Sequence, residues 1–227
     1  MRVMDANELY DPEFRKLIKE KKPTIIIPVG SIEQHGAHLP ITTDSDIVTE
    51  IASRLAKKCG FIVFPTISYG VSEEHSPLFN TSVDLRRLLE SILLSLSENE
   101  IKSVVILNGH HGNERSIPHD YDDVAKLRVY SYWHFMKHEF DHAGFVETSL
   151  MLAISDKVRM KKAKKGLITK GLSEKEIQKI KELSTKRRGF SKVAKNGVWG
   201  DPTDATKKDG EKFLAEIVRN LAKECQS

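Results

Sequence analysis

Glu33 and His35 stand one residue apart within Gly30-Ser-Ile-Glu33-Gln-His35-Gly-Ala-His38-Leu-Pro-Ile-Thr-Thr-Asp44. In extended backbone, residues two apart face the same way, so this carboxylate and imidazole would point together. Asp44 comes just before an apolar helical repeat and is close enough to fold back beside them, although the same position suits a helix N-cap. Carboxylate plus imidazole is a ligand set for Zn²⁺, Mn²⁺ or Fe²⁺. The plainer reading leaves Glu33 and His35 as surface loop residues. A second constellation, Asn108-Gly-His110-His111-Gly-Asn113, follows a buried apolar run. Its glycines allow tight backbone and would present imidazole at a sheet edge; alternatively it is a turn with incidental histidines. A third, Asp141-His142-Ala-Gly-Phe-Val-Glu147, puts Glu147 in the first turn of a helix, where the helix dipole favours a carboxylate. Together the three loops carry enough carboxylate and imidazole for two ions sharing one carboxylate. Such a pair activates water and polarises a carbonyl, which serves amide hydrolysis and, chemically, phosphoester hydrolysis as well.

The elements that must position these loops are legible as short β-branched runs alternating with amphipathic repeats. Residues 24–28 (TIIIP), 61–65 and 103–107 (SVVIL) read as buried strands, and residues 127–133 alternate like another. Ile47, Val48, Ile51, Ala52, Leu55 and Ala56 mark a helix that Gly60 stops. Residues 81–84 (TSVD) read as a helix start, followed by the stripe Leu85, Leu88, Leu89, Ile92, Leu93 and Leu96. Helices are also expected over 147–154 and 206–225, the latter with Phe213, Leu214, Ile217, Val218 and Leu221 inward. This alternation predicts an α/β domain, a three-layer α/β/α sandwich with a largely parallel sheet. In such sheets, sites lie beyond the carboxyl ends of the strands, where the first two loops fall. The expectation is a single domain over 1–227 carrying a basic helical insertion at about 157–195. Inside that insertion Ser173-Glu-Lys-Glu176 is a capping box, and Ile177, Ile180 and Leu183 give an apolar face.

The chain carries 36 Lys and Arg against 32 Asp and Glu, so its net charge of +4 comes from one basic segment. That segment lacks the interleaved aromatics of a nucleic-acid groove, so no nucleic-acid partner is expected. The first residues, MRVMDANELYDPEF, hold acids where a signal peptide needs an apolar stretch, and no run approaches the roughly 20 apolar residues of a bilayer span. Cys59 and Cys225 make no metal-binding pair. The expectation is a reduced, cytoplasmic protein without a membrane partner.

The stretches PVGSIEQHGAHLPITTDSD, ILNGHHGN, DHAGFVETS and GVWGDPTDATKKDGEKF occur in the order of the signature segments of the creatininase (creatinine amidohydrolase) family, which the chain therefore resembles. The resemblance implies an α/β/α sandwich, a centre of two divalent ions, hydrolysis of amide or cyclic amide C–N bonds, and a homo-oligomer. It makes Glu33, His35, Asp44 and His110 metal ligands, with Asp44 as the bridge. Glu147 is the expected remaining acidic ligand, and His142 the proton donor or substrate-orienting residue, so that His142 and Glu147 are the expected catalytic pair. His38, His75, His111 and Asn113 are candidate substrate contacts. In one respect the chain departs from the family: creatinine-hydrolysing members carry an acid in the segment that here reads His110-His111-Gly112-Asn113. Gly112 removes it and turns the expectation away from creatinine.

Within the family, the compact, lysine-rich chain resembles the archaeal formamide hydrolases of flavin and deazaflavin biosynthesis. That likeness implies removal of formate from a formylamino-pyrimidine ribonucleotide monophosphate, with Fe²⁺ as the metal; otherwise Zn²⁺ or Mn²⁺ is expected. A phosphorylated small-molecule substrate would suit the basic segment, whose plainer reading is a solvated helical face. Creatinine, another cyclic amide or a peptide bond are the alternative substrates.

Overall fold

The computed structural model describes residues 4–75, 84–139 and 141–226. Its centre is a parallel sheet in the order β1-β3-β2-β4-β5, formed by Met4–Asp5, Ile62–Val63, Ile25–Val29, Ser103–Asn108 and Lys126–Ser131. All five residues of β2 are buried, as are the last five of β4. Both strands are therefore covered on two faces, which is why they read as unbroken apolar runs. Alternate residues feed different layers. Ile26, Val105 and Leu107 join a cluster with Ile47, Val48 and Ile51 of α2 (Thr43–Cys59), Leu150 of α4 (Phe145–Ile154) and Leu214 of α7 (Lys207–Gln226). Ile25, Ile27, Val104 and Ile106 instead meet Leu85, Leu89 and Leu93 of α3 (Leu85–Glu98), together with Phe14 and Leu17 of α1 (Asp11–Lys21). This is the expected α/β/α sandwich. Each fully buried Ile or Leu stabilises it by about 1.5–3 kcal/mol.

Several boundaries differ from the sequence reading. The strand expected over 61–65 pairs only through Ile62–Val63, since Pro65 has no N–H to donate to a ladder. The strand expected over 127–133 ends at Ser131, where a 3₁₀ turn, Tyr132–Phe135, begins. Asp44 is not the N-cap of α2: Thr42 takes that place and Asp44 lies in the first turn. Gly60 ends α2 in the left-handed region, φ 74°, as a C-cap glycine does. Asp84 caps α3 by accepting from Arg87 N at 3.1 Å, whereas residues 81–83 of the expected helix start lie outside the described residues. β1 and α1 went unpredicted, because β1 is two residues long and α1 has no buried residue to set a period. No helix among the described residues is long and apolar enough to cross a membrane.

Two features bring the loops together. β2 and β4 are neighbours in register, Val29 opposite Asn108, so the loops that follow them emerge side by side. Asn113 then ties them: its Oδ1 accepts from Val71 N at 2.8 Å and its Nδ2 donates to Gly30 O at 3.0 Å. The basic segment contains α5 (Glu174–Ser184), whose Ser173–Glu176 capping box forms as expected, and the short α6 (Phe190–Val193). It docks beside the same loops through Arg188 N to Glu73 O, 2.7 Å, and Phe190 N to Glu74 O, 3.0 Å.

Candidate metal centre

Asp44 sits between two imidazoles. Its Oδ1 is 3.2 Å from His35 Nε2, and its Oδ2 is 3.1 Å from His110 Nδ1. Glu147 Oε2 lies 3.5 Å from the same His35 Nε2, and Glu33 Oε2 lies 3.1 Å from His110 Nε2. Ligand atoms of Glu33, Asp44 and His110, and of His35, Asp44 and Glu147, fall within 4.8 Å of one another. The two groups share Asp44, and all five residues are buried. A third group, Glu33, His35 and His142, overlaps them.

Main-chain carbonyls fix the tautomers, because a carbonyl oxygen can only accept. Glu33 O lies 3.3 Å from His35 Nδ1, and Val71 O lies 2.9 Å from His110 Nε2. Protons on those atoms leave His35 Nε2 and His110 Nδ1 as lone-pair donors, and these are the nitrogens that face Asp44. The fit to cations is tested by what stays unsatisfied. Glu33 Oε1, His35 Nε2 and Asp44 Oδ2 are buried without a hydrogen-bond partner. Convergent orphaned acceptors are costly unless a cation or proton joins them.

Without ions, protons take that place. Burial opposes charge on His35, but Asp44 and Glu147 outweigh it and lift the imidazole to about 10. Burial likewise opposes charge on His110, and Glu33 and Asp44 lift it to about 10. Burial works to raise Glu33, yet His110 and His75 hold it at about 2; His35 and His110 keep Asp44 well below the usual carboxylate range despite its burial. Burial pushes Glu147 up to about 8, with His35 opposing and Asp44 adding to the rise. Loading the centre near pH 8 must therefore displace the protons of His35 and His110 and about half a proton from Glu147, between about two and three per chain. Calorimetry of metal binding in buffers of different ionisation heat should show that release, with affinity rising as pH rises. A release near zero would contradict the ligand assignment.

The other expected site residues separate into three groups. His142 and His75 border the centre. His142 Nε2–H donates to Gln34 O at 3.0 Å and its Nδ1 lies 3.7 Å from Glu33 Oε1; His75 Nε2 is 3.0 Å from Glu33 Oε1. His111 lies on the cavity rim with its side chain 63% exposed, its ring 6.0 Å from that of Trp133. His38 and Asn113 are placed otherwise than as substrate contacts. His38 is buried against Thr148 Oγ1, 2.9 Å away, and burial lowers it to about 4, so it is a neutral packing group. Asn113 spends its amide on the loop ties described above.

The centre forms the floor of a cavity of about 600 Å³ that Glu74, His75, Trp199, Lys181 and Phe190 help to line. The basic segment thus lines the site through Lys181, Ser184, Thr185 and Phe190, while most of α5 faces solvent. Trp199 lies in the loop 196–204, which its glycines and the last signature segment had placed beside the site. Glu74 and Phe190 were missed from sequence, and of these only Glu74 carried a signal, its adjacency to His75 in a loop beyond a strand end.

The chain is 33% identical over 215 residues to a mycofactocin precursor peptide peptidase of Mycobacterium ulcerans (strain Agy99), covering 86% of this chain and 82% of that protein. It is 28% identical over 226 residues to a 2-amino-5-formylamino-6-ribosylaminopyrimidin-4(3H)-one 5'-monophosphate deformylase of Methanocaldococcus infernus, covering 92% and 94%. Its fold matches a mutant creatininase of Zn–Zn type with a TM-score of 0.82, at 22% identity and over 99% and 97% of the two chains. The family model for creatinine amidohydrolase spans residues 7–225, and the chain belongs to the creatininase family of amide hydrolases.

Proposed function

We propose that the protein is a two-metal amide hydrolase acting on a small substrate that bears an anionic group. The observation that carries this is Asp44, with one carboxylate oxygen turned to each of two imidazole nitrogens at the floor of an open cavity. Glu33, Asp44 and His110 would hold one ion, and His35, Asp44 and Glu147 the other. The ions supply an activated water and a polarised carbonyl. The donor set suits Zn²⁺, Mn²⁺ or Fe²⁺. His142 moves the proton. Burial, with His35 and His75 nearby, holds it well below its ordinary value, so it is neutral and offers a lone pair at Nδ1. It therefore accepts the proton of the attacking water before giving it to the leaving amine.

Our reading of the substrate is the formylamino-pyrimidine ribonucleotide monophosphate, with Fe²⁺ as the metal. Lys181 and Arg115 line the cavity, and cations there would suit its phosphate; the match to the deformylase over 92% of the chain supports the reading. Hydrolysis of a peptide C–N bond is the second reading, favoured by the higher identity to the peptidase; a terminal carboxylate would then take the place of the phosphate. Metal-loaded protein should be given the formamide nucleotide, a mycofactocin precursor peptide and creatinine in parallel. Formate from the nucleotide is the expected result. Cleavage of the peptide alone would select the second reading, and no turnover with Zn²⁺, Mn²⁺ or Fe²⁺ would refute both.

A further inference from the structure

Gly112 stands where creatinine-hydrolysing relatives carry an acid, and the space it leaves is filled. A Cβ at position 112 would come within 2.2 Å of Val71 O, 2.5 Å of His110 Nε2 and 2.8 Å of Glu74 Oε1. The glycine lets a carbonyl, an imidazole edge and a carboxylate converge on one point. Glu74 comes to that point from the segment that follows β3. Its main-chain carbonyl is held by Phe190 N and that of Glu73 by Arg188 N. The carboxylate is 3.6 Å from His110 Nε2 and 3.9 Å from His75 Nε2, and the side chain is only 16% exposed.

We propose that Glu74 is a positioning residue for the metal centre: Val71 O accepts the Nε2–H of His110 and the Glu74 carboxylate backs that edge of the ring by its charge, so that Nδ1 is presented to an ion beside Asp44. The inference rests on the two-metal reading. It assigns no direct ligation, since Glu74 belongs to none of the three groups whose donor atoms lie within 4.8 Å of one another. Glu33 Oε2 also lies near His110 Nε2, at 3.1 Å. Once Glu33 serves an ion, Glu74 is the remaining carboxylate on that edge. A carboxylate behind a ligating histidine fixes its ring and raises its basicity, and removing one typically weakens metal binding by about 10–100-fold.

The test is zinc binding, by competition with a chromophoric chelator, in wild type and in Glu74→Gln, Glu74→Ala and Glu74→Asp. The expected result is two ions per wild-type chain, with one held about 10–100-fold more weakly in Glu74→Gln and Glu74→Ala and the other unchanged. Glu74→Asp recovers part of the loss. The metal-free thermal midpoint stays the same, and the His110 Nε2–H proton resonance of the zinc-loaded protein moves upfield in Glu74→Gln. Unchanged affinity for both ions in Glu74→Gln would overturn the proposal. So would complete loss of one ion at saturating zinc, which would make Glu74 a ligand. Wild-type protein that binds no zinc would instead refute the two-metal reading itself.

Discussion

Asp44→Asn is expected to strip both ions from the protein and to lower amide hydrolysis by at least about 10²–10³-fold, the scale of losing one preorganised electrostatic stabiliser. The reason is the position of Asp44 between the two halves of the centre, 3.2 Å from His35 Nε2 and 3.1 Å from His110 Nδ1. A carboxylate offers two equivalent anionic oxygens. An amide of the same shape offers one neutral acceptor and one N–H₂ donor, so one side of the bridge would present protons where a cation belongs. Glu33→Gln and Glu147→Gln should each weaken one ion, because each belongs to one of the two Asp44-sharing groups. The fold should survive Asp44→Asn: with the shared carboxylate gone, His35 and His110 lose a main cause of their rise to about 10 and can stay neutral. Elemental analysis of purified variants, alongside activity on the substrate that wild type turns over, checks this. Two ions per chain in Asp44→Asn would remove the bridge from the account.

How much of this was legible in the sequence depended on whether a residue's neighbours were local. Glu33 and His35 share a loop, and β-strand period alone pointed them together. Val29 and Asn108 lie at the ends of apolar runs, so placing both loops at one sheet edge required only a parallel sheet. Asp44 was ambiguous, since a first-turn acid and an N-cap differ by two residues, and only the geometry puts Thr42 at the cap. His38 and Asn113 misled for a related reason. Both stand in histidine- and glycine-rich loops, but their partners, Thr148, Val71 and Gly30, are distant in sequence. A polar side chain engaged in holding loops together looks, in sequence, like one free to meet a substrate.

The basic segment shows the same limit on a larger scale. Its charge reads as a solvated face, and most of α5 is exposed. Yet Lys181 reaches the cavity, and Phe190 packs 4.6 Å from the rings of both His75 and His142. Nothing in the period of α5 announces this, because it depends on backbone bonds to Glu73 and Glu74 formed across more than a hundred residues. Glu74 was hidden for the same reason. The absence of an acid at position 112 is visible in sequence, but what occupies its space is not.

His142→Asn is expected to leave both ions in place and to lower kcat by about 10²–10⁴-fold, the usual contribution of a positioned proton carrier. The surroundings of the ring motivate that expectation. Its Nε2–H is committed to Gln34 O at 3.0 Å, so only Nδ1 can exchange a proton, and Nδ1 faces the centre 3.7 Å from Glu33 Oε1. Phe190 and the ring of His75 pack within 5 Å, which keeps the imidazole dry. Dryness, with His35 and His75 beside it, holds its pKa well below the ordinary histidine range. The sign of the pH dependence follows. A lowered pKa keeps His142 neutral through neutral and mildly acid pH, so its protonation does not set the acid limb of the rate profile there. That limb should instead report metal loss, as falling pH returns protons to His35 and His110, and it should shift to lower pH when more metal is supplied. His142→Asn should keep the metal-dependent limb while losing rate at every pH. Because Glu33, His35 and His142 also form a compact group of donor atoms, metal content decides between the roles. A His142→Asn protein short of one ion would make the imidazole a ligand, and the proton would then need another carrier.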